Sequence, residues 1–242
     1  MKKISIVLVS PQGDANIGAV ARAMKNFGFY DLRLVNPIHY KTDEAYAWAV
    51  DAKDILDKAK VFSDLEEALN DHSNTFAFTR RVGRTRRRDM RISEAVTSIT
   101  DFAERGSVAL VFGQEDAGLS NEDISRCDHI ITIPTSGELP SLNLSQAVMI
   151  ACYEIYSAIT LSPDGSKDNE YWHYVSREKT APLMEKLDKT LDGLKYTDSK
   201  DNPVKSKIIN QFNKLFGRAG LTDRDLRMFE GLLSRIEKIS NP

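Results

Sequence analysis

Cysteine is nearly absent: Cys127 and Cys152 are the only two in 242 residues. Two thiols cannot build a disulfide framework, and neither has a second Cys or a His at zinc-binding spacing. Both sit in apolar patterns, which predicts buried, reduced thiols. Histidine is also scarce. His39, His72, His129 and His173 include no pair at metal-ligand spacing and adjoin no GxSxG elbow, so no metal is expected. His129 reads as a core or edge histidine, and Trp48 and Trp172 read as packing residues. A GxGxxG dinucleotide fingerprint is missing. The longest apolar stretch, Leu142 to Leu161, is interrupted by Asn143, Ser145, Gln146 and Glu154, so no membrane span is expected. Met1-Lys2-Lys3-Ile4 runs straight into a strand pattern with no apolar leader, which predicts a cytoplasmic protein. Net charge is almost nil, with 33 Lys+Arg against 35 Asp+Glu. That excludes a bulk electrostatic nucleic-acid binder but not a local basic stripe. Internal repeats and low-complexity tracts are absent too.

What is present alternates strand with helix. Ile4 to Val9, Leu32 to Val35, Thr75 to Thr79, Val108 to Phe112 and Ile130 to Ile133 read as strands. Helical spacing covers Asn16 to Phe27, about 43–59, a segment opened by Ser63-Asp64-Leu65-Glu66, Ser93 to Glu104, a short helix capped by Ser120, and Leu144 to Leu161. The alternation predicts an α/β fold with a mostly parallel sheet, and such sheets bind ligands at the carboxyl ends of their strands. After Leu161 the pattern changes. Ser162-Pro163-Asp164-Gly165-Ser166 is a linker, and helical, highly charged sequence follows, including 203–217 and a Thr222-capped 222–239. The expected organisation is an α/β domain over 1–161 and a helical C-terminal extension over 162–242.

Basic charge is concentrated within the first domain. Arg80, Arg81, Arg84, Arg86, Arg87, Arg88 and Arg91 lie in one stretch after a strand, with only Asp89 against them. Arginine forks grip phosphate at two points, so this stretch reads as an RNA-backbone clamp rather than a solvated charge run. Three glycine-containing or polar segments stand out besides. In the first, Asn16 is placed to cap the helix that carries Arg22, and a cap on a plain amphipathic helix is the better reading of these residues alone. The second, Phe112-Gly113-Gln114-Glu115-Asp116-Ala117-Gly118, brackets a loop after a buried strand, where glycine permits close approach of a ligand. The third, Ile133 to Ser145, is a polar loop entering an apolar helix that Ser141 or Asn143 caps.

Together, Asn16-Ile17-Gly18-Ala19-Val20-Ala21-Arg22-Ala23-Met24, then Val111-Phe112-Gly113-Gln114-Glu115-Asp116-Ala117-Gly118-Leu119-Ser120-Asn121-Glu122, then Ile133-Pro134 with Ser141-Leu142-Asn143-Leu144-Ser145-Gln146-Ala147-Val148, resemble motifs 1, 2 and 3 of the SpoU branch of the SPOUT methyltransferases. The helical extension adds similarity to the TrmJ-type tRNA 2′-O-methyltransferases, with Phe212 to Thr222 resembling their C-terminal segment. The resemblance implies a trefoil-knotted α/β domain, a homodimer and S-adenosylmethionine as cofactor. It implies tRNA as substrate, with no DNA or membrane partner. The implied reaction is methyl transfer to the ribose 2′-hydroxyl of cytidine or uridine 32, at the start of the anticodon loop. By motif position the cofactor would be held by Thr79, Arg80, Arg81, Gly113, Ile133, Pro140, Ser141 and Leu142. The catalytic set would be Arg22, Asn16, Glu115, Ser141 and Asn143, and RNA would meet Arg84, Arg86, Arg87 and Arg88. Arg80 and Arg81 stand where relatives carry small residues, and Pro140 where a Ser is common. Alternatives are an rRNA or other-position tRNA methyltransferase, a non-catalytic SPOUT-like RNA-binding protein, and a small-molecule α/β enzyme.

Overall fold

The computed structural model describes residues 3–80, 90–161, 173–199 and 203–240. Seven strands form one sheet: β1 (Ile4–Val9), β2 (Asp31–Val35), β3 (Lys60–Phe62), β4 (Asn74–Phe78), β5 (Met90–Arg91), β6 (Val108–Phe112) and β7 (His129–Thr132). Their order is β3-β2-β1-β6-β4-β7-β5, and every pairing is parallel. All carboxyl ends therefore share one edge of the sheet.

The central strands are buried along their whole length because both faces are covered, and they are mostly apolar apart from Ser5, Asn74 and Thr75. Along β1, Ile4, Ile6 and Leu8 enter one core, and Val7 and Val9 enter the other. The larger core packs under α1 (Asp14–Asn26), α2 (Asp43–Ala49), α3 (Lys53–Lys58), α5 (Ile92–Arg105) and α7 (Leu144–Leu161). The smaller lies under α4 (Leu65–Leu69) and α6 (Asn121–Ser125). Cys127 and Cys152 are buried and unpaired, and burial pushes both thiols up to about 12. Gly18 sets how closely α2 lies on α1: a Cβ there would run into the Ala45 carbonyl and the Trp48 Cβ. Trp48 is nevertheless 54% exposed. Its expected packing role is corrected, because the contact is made by its Cβ and the ring is left outside. His129, by contrast, is buried with its ring stacked on Phe76 at 4.5 Å.

The C-terminal helices α8 (Arg177–Gly193), α9 (Val204–Ala219) and α10 (Asp223–Ser240) share a small core of their own, centred on Leu183, Leu187, Phe216, Leu226 and Leu233. They dock on the amino-terminal edge of the sheet. At the start of α8, two otherwise unpaired backbone donors find loop carbonyls: Arg177 N donates to His72 O and Glu178 N to Asn70 O, both at 3.0 Å. The Arg177 guanidinium donates to the Asp128 carboxylate at 2.7 Å and to Thr75 Oγ1 at 3.0 Å. Asp128 also accepts from Thr75 N and Oγ1, both at 2.9 Å. From α9, Gly217 lies so close to this carboxylate that a Cβ would collide with it.

Arg177→Ala should therefore loosen the extension rather than the sheet. The Asp128 carboxyl is 4% exposed, and stranding a buried charge typically costs about 3–5 kcal/mol. Because Arg177 is itself about a third exposed, a loss near the low end is expected, with a fall in Tm of roughly 6–12 °C. Differential scanning calorimetry reads the shift, and limited proteolysis should cut first within 173–240. An unchanged Tm would remove this ion pair from the docking.

Candidate active site

Three strands end around one cavity. Thr79 follows β4, Gly113 follows β6 and Ile133 follows β7. With Arg80, Pro140, Ser141 and Leu142 they line a cavity of about 110 Å³. Arg81, Arg84, Arg86, Arg87 and Arg88 lie outside the described residues. Phe78 and Phe112, register partners at the ends of β4 and β6, contribute apolar walls; their rings stack at 4.5 Å and 16°. Leu144 and Ala147 from α7 also line it. Sequence reading did not single out Phe78 as a wall residue. Its only signal is an aromatic at the last position of a buried strand.

The loop after β6 is held tight by its glycines. A Cβ on Gly113 would overlap the backbone of Gly118 and Leu119. Gly118 takes φ +65, a conformation that costs glycine little, and its N–H donates to Gln114 O at 2.9 Å. The turn aims Glu115 at the start of α1. There the carboxylate accepts from Gln12 N and Gly13 N, both at 3.0 Å, and from Asn16 Nδ2 at 2.9 Å.

This corrects the expected cap. The helix begins at Asp14 with Gly13 as N-cap and no side-chain cap of its own; Asn16 lies inside the first turn. Glu115 supplies the missing acceptor from another element, which a helix N-terminus favours through both its free N–H groups and its dipole. Asn16 is thereby free to face the polar loop, and its Oδ1 accepts from Asn143 Nδ2 at 2.8 Å. Asn143 resolves the choice left open with Ser141: its Oδ1 accepts from Ser145 N at 2.9 Å and Ser145 Oγ at 2.7 Å, capping α7. Glu115, Asn16, Asn143 and Ser145 thus form one hydrogen-bonded chain beside the cavity. Ser141 lies exposed on the rim. Arg22 is on the exposed face of α1, six residues past Asn16 and so about 9 Å along the axis. It has no hydrogen-bond or ion-pair partner among the described residues. No group of three His, Cys, Asp or Glu that could hold a metal occurs among the described residues either.

Burial pushes the Glu115 carboxyl up, but hydrogen bonds from Asn16, Gln12 and Gly13 outweigh it and hold the group below its ordinary value. The arrangement suits a half-apolar slot for a flat ring or thioether, flanked by aligned amide groups and one free guanidinium. It positions polar ligand atoms rather than attacking them.

Residues 3–153 match the family described as SpoU rRNA methylase. The chain is 34% identical to the tRNA (cytidine/uridine/adenosine-2′-O-)-methyltransferase TrmJ of Pseudomonas aeruginosa, over 99% of this chain and 96% of that one. It is 35% identical to an uncharacterized tRNA/rRNA methyltransferase, LasT, of Escherichia coli K12, over 98% of each. The crystal structure of TrmJ from Z. mobilis ZM4 superposes with a TM-score of 0.77 at 31% identity, covering 96% of this chain and 98% of that chain.

Glu115→Gln keeps the shape and removes the charge. A carboxylate held below its ordinary value of 4.5 stabilises the fold above that value, and this contribution is lost as pH falls through the lower folded-state value. Wild type should therefore exceed the variant by about 1–2 kcal/mol at pH 7, and the two denaturation curves should converge below pH 4. A gap that persists at pH 3 would show that packing, not charge, sets the difference.

Proposed function

The chain belongs to the SpoU methylase family, and on that premise we propose that it is an S-adenosylmethionine-dependent methyltransferase acting on a ribose 2′-hydroxyl of tRNA. The finer target, cytidine or uridine 32 at the start of the anticodon loop, is part of the same proposal, as is a cytoplasmic location. The observation that carries it is the meeting of Asn16, Glu115 and Asn143 beside the cavity that Thr79, Gly113, Ile133 and Ser141 line.

The donor set fits the cofactor. Phe78, Phe112, Ile133 and Leu144 offer apolar walls for an adenine and a methionine chain, and the turn at Gly113 and Gly118 offers bare backbone. Ligand sites of this class measure about 300–1,000 Å³, against about 110 Å³ for this cavity. The ligand would therefore extend beyond the enclosed part of the cavity, along the exposed rim at 134–141. Bound S-adenosylmethionine supplies an electrophilic methyl group on a sulfonium.

The chain's own residues then hold the acceptor in line, which is the larger part of catalysis in a direct displacement. Asn16 and Asn143, fixed by their neighbours, orient the ribose. The Arg22 guanidinium contacts the target phosphate and steadies negative charge building on the 2′-oxygen. Glu115 lines the cavity and acts by positioning Asn16 and the first turn of α1.

A homodimer belongs to the proposal. Met149, Tyr153, Tyr156 and Ile159 leave one side of α7 exposed, and Phe27 of α1 extends that patch, with ring centroids 5.9 Å from Tyr153 and 5.7 Å from Tyr156. Contiguous apolar surface of this kind marks an interface. A trefoil knot at the 113–143 segments is carried over from the family.

The deciding experiment incubates the protein with S-adenosylmethionine and either unmodified tRNA or rRNA, then maps 2′-O-methyl nucleotides by mass spectrometry. Methylation at position 32 of tRNA is expected. Methylation of rRNA alone would move the substrate and keep the chemistry; none on either RNA would overturn the enzyme. Arg22→Ala should fold, bind S-adenosylmethionine with unchanged affinity by calorimetry, and lose about 10²–10³-fold in transfer rate. Wild-type turnover would remove Arg22 from the chemistry. Tyr156→Glu should shift the light-scattering mass from dimer to monomer, and an unshifted dimer would place the interface elsewhere.

A further inference from the structure

A second pocket, more roomy than the candidate active site, lies at the other end of the sheet. It is a cavity of about 740 Å³ between α9 and the amino-terminal edge of the sheet. We infer that this cavity receives one unpaired nucleotide of the RNA substrate, base inward and phosphate against Lys214, as an anchoring subsite remote from methyl transfer. The inference rests on the RNA-methylating function proposed above.

Three observations carry it. The first is the sequence of α9, which contains Lys205, Lys207, Lys214 and Arg218 and no acid. Lys205 is spent on Asp188 and Asp192 at 2.8 and 2.7 Å. The exposed positions Lys207, Asn210, Gln211, Lys214 and Arg218 fall at helical spacing on one face. This amide-and-cation stripe matches a phosphodiester chain.

The second is what the cavity wall holds. Asn210, Asn213 and Lys214 turn into it, and none of these side chains has a partner among the described residues. Other lining charges are already balanced: Arg177 meets Asp128 at 2.7 Å and Arg126 meets Glu66 at 2.8 Å. A balanced, amide-lined interior suits the edge of a base rather than a second phosphate. Glu178 on the opposite wall is placed to accept from an exocyclic amine. Free Lys214 is left for the phosphate at the rim.

The third is position. The cavity lies at the amino ends of the strands and the methyl-transfer site at their carboxyl ends. Five-residue strands separate the two by at least about 17 Å. A single nucleotide is too short to reach from one to the other, so the cavity grips a different nucleotide from the one methylated. RNA recognition commonly takes unstacked bases into such pockets.

Two variants of the full chain separate rim from cavity, each read by tRNA binding in fluorescence anisotropy across a salt series. Lys214→Gln should weaken binding about tenfold and flatten the salt slope by about one. Asn213→Trp puts an indole into the space the base would occupy while keeping Lys214; it should weaken binding about tenfold with the slope unchanged. In both, affinity for S-adenosylmethionine and the rate at saturating tRNA should match wild type, a result that misfolding would not give. Wild-type tRNA affinity in Asn213→Trp would overturn the subsite while the methyltransferase function stands. If wild-type protein neither binds nor methylates tRNA or rRNA, the function fails first and the subsite with it.

Discussion

A single carboxylate, that of Glu115, closes a helix it does not belong to. The first helix starts on a glycine with no side-chain cap, so its opening N–H groups need an acceptor from elsewhere. Glu115 provides it from 102 residues away, at 3.0 Å from Gly13 N. The same oxygen takes the Asn16 amide, and Asn16 in turn takes Asn143. The loop after β6, the first turn of α1 and the entry to α7 are thereby one rigid piece. It depends on Gly113 as much as on Glu115, because any Cβ there would push the turn off Gly118 and Leu119. A loop that lines the cavity thus also sets the amides expected to face RNA.

The parallel sheet divides the labour by polarity. With every strand running one way, one edge collects all the strand-to-helix loops, and ligand chemistry belongs there. The other edge is free to take the extension. Its docking is polar rather than greasy: Arg177 on Asp128, backbone donors of α8 on His72 and Asn70 carbonyls, and a bare Gly217 over the carboxylate. Such bonds require defined geometry, so they set the orientation of α9 relative to the sheet, and with it the shape of the cavity between them.

Much of this was legible in the residues, and the failures have a common cause. The strands β1, β4 and β6 were readable because both faces are buried and the run is mostly apolar. The short strands β3 and β5 were not; they are three and two residues long and mostly exposed, with no hydrophobic pattern to give them away. Asn16 was read as a cap because local spacing permits it, and only a partner 99 residues distant shows that the helix starts earlier. Trp48 was read as packing because indoles usually are; a glycine on the neighbouring helix makes the contact with its Cβ and leaves the ring outside. Local pattern predicts elements. Which side chains meet across them depends on tertiary approach, and glycines such as Gly113 and Gly217 reveal that only once the neighbour is in place.

Near-zero net charge has the same structure beneath it. The total of −2 is not an even mixture of charges. Arg33 is held between Asp31 and Asp71, Lys25 on Asp54, Arg126 on Glu66 and Glu122, Arg177 on Asp128 and Lys205 on two aspartates. These cations are structural, and each cancels acid that would otherwise repel RNA. Described cations without a partner include Arg22, on the helix that carries Asn16, and Lys214, on the rim of the second cavity. A phosphate backbone responds to the local field within about a Debye length, some 8–10 Å, not to the sum over the chain. A neutral total therefore coexists with separate positive points, Arg22 on α1 and Lys214 on α9.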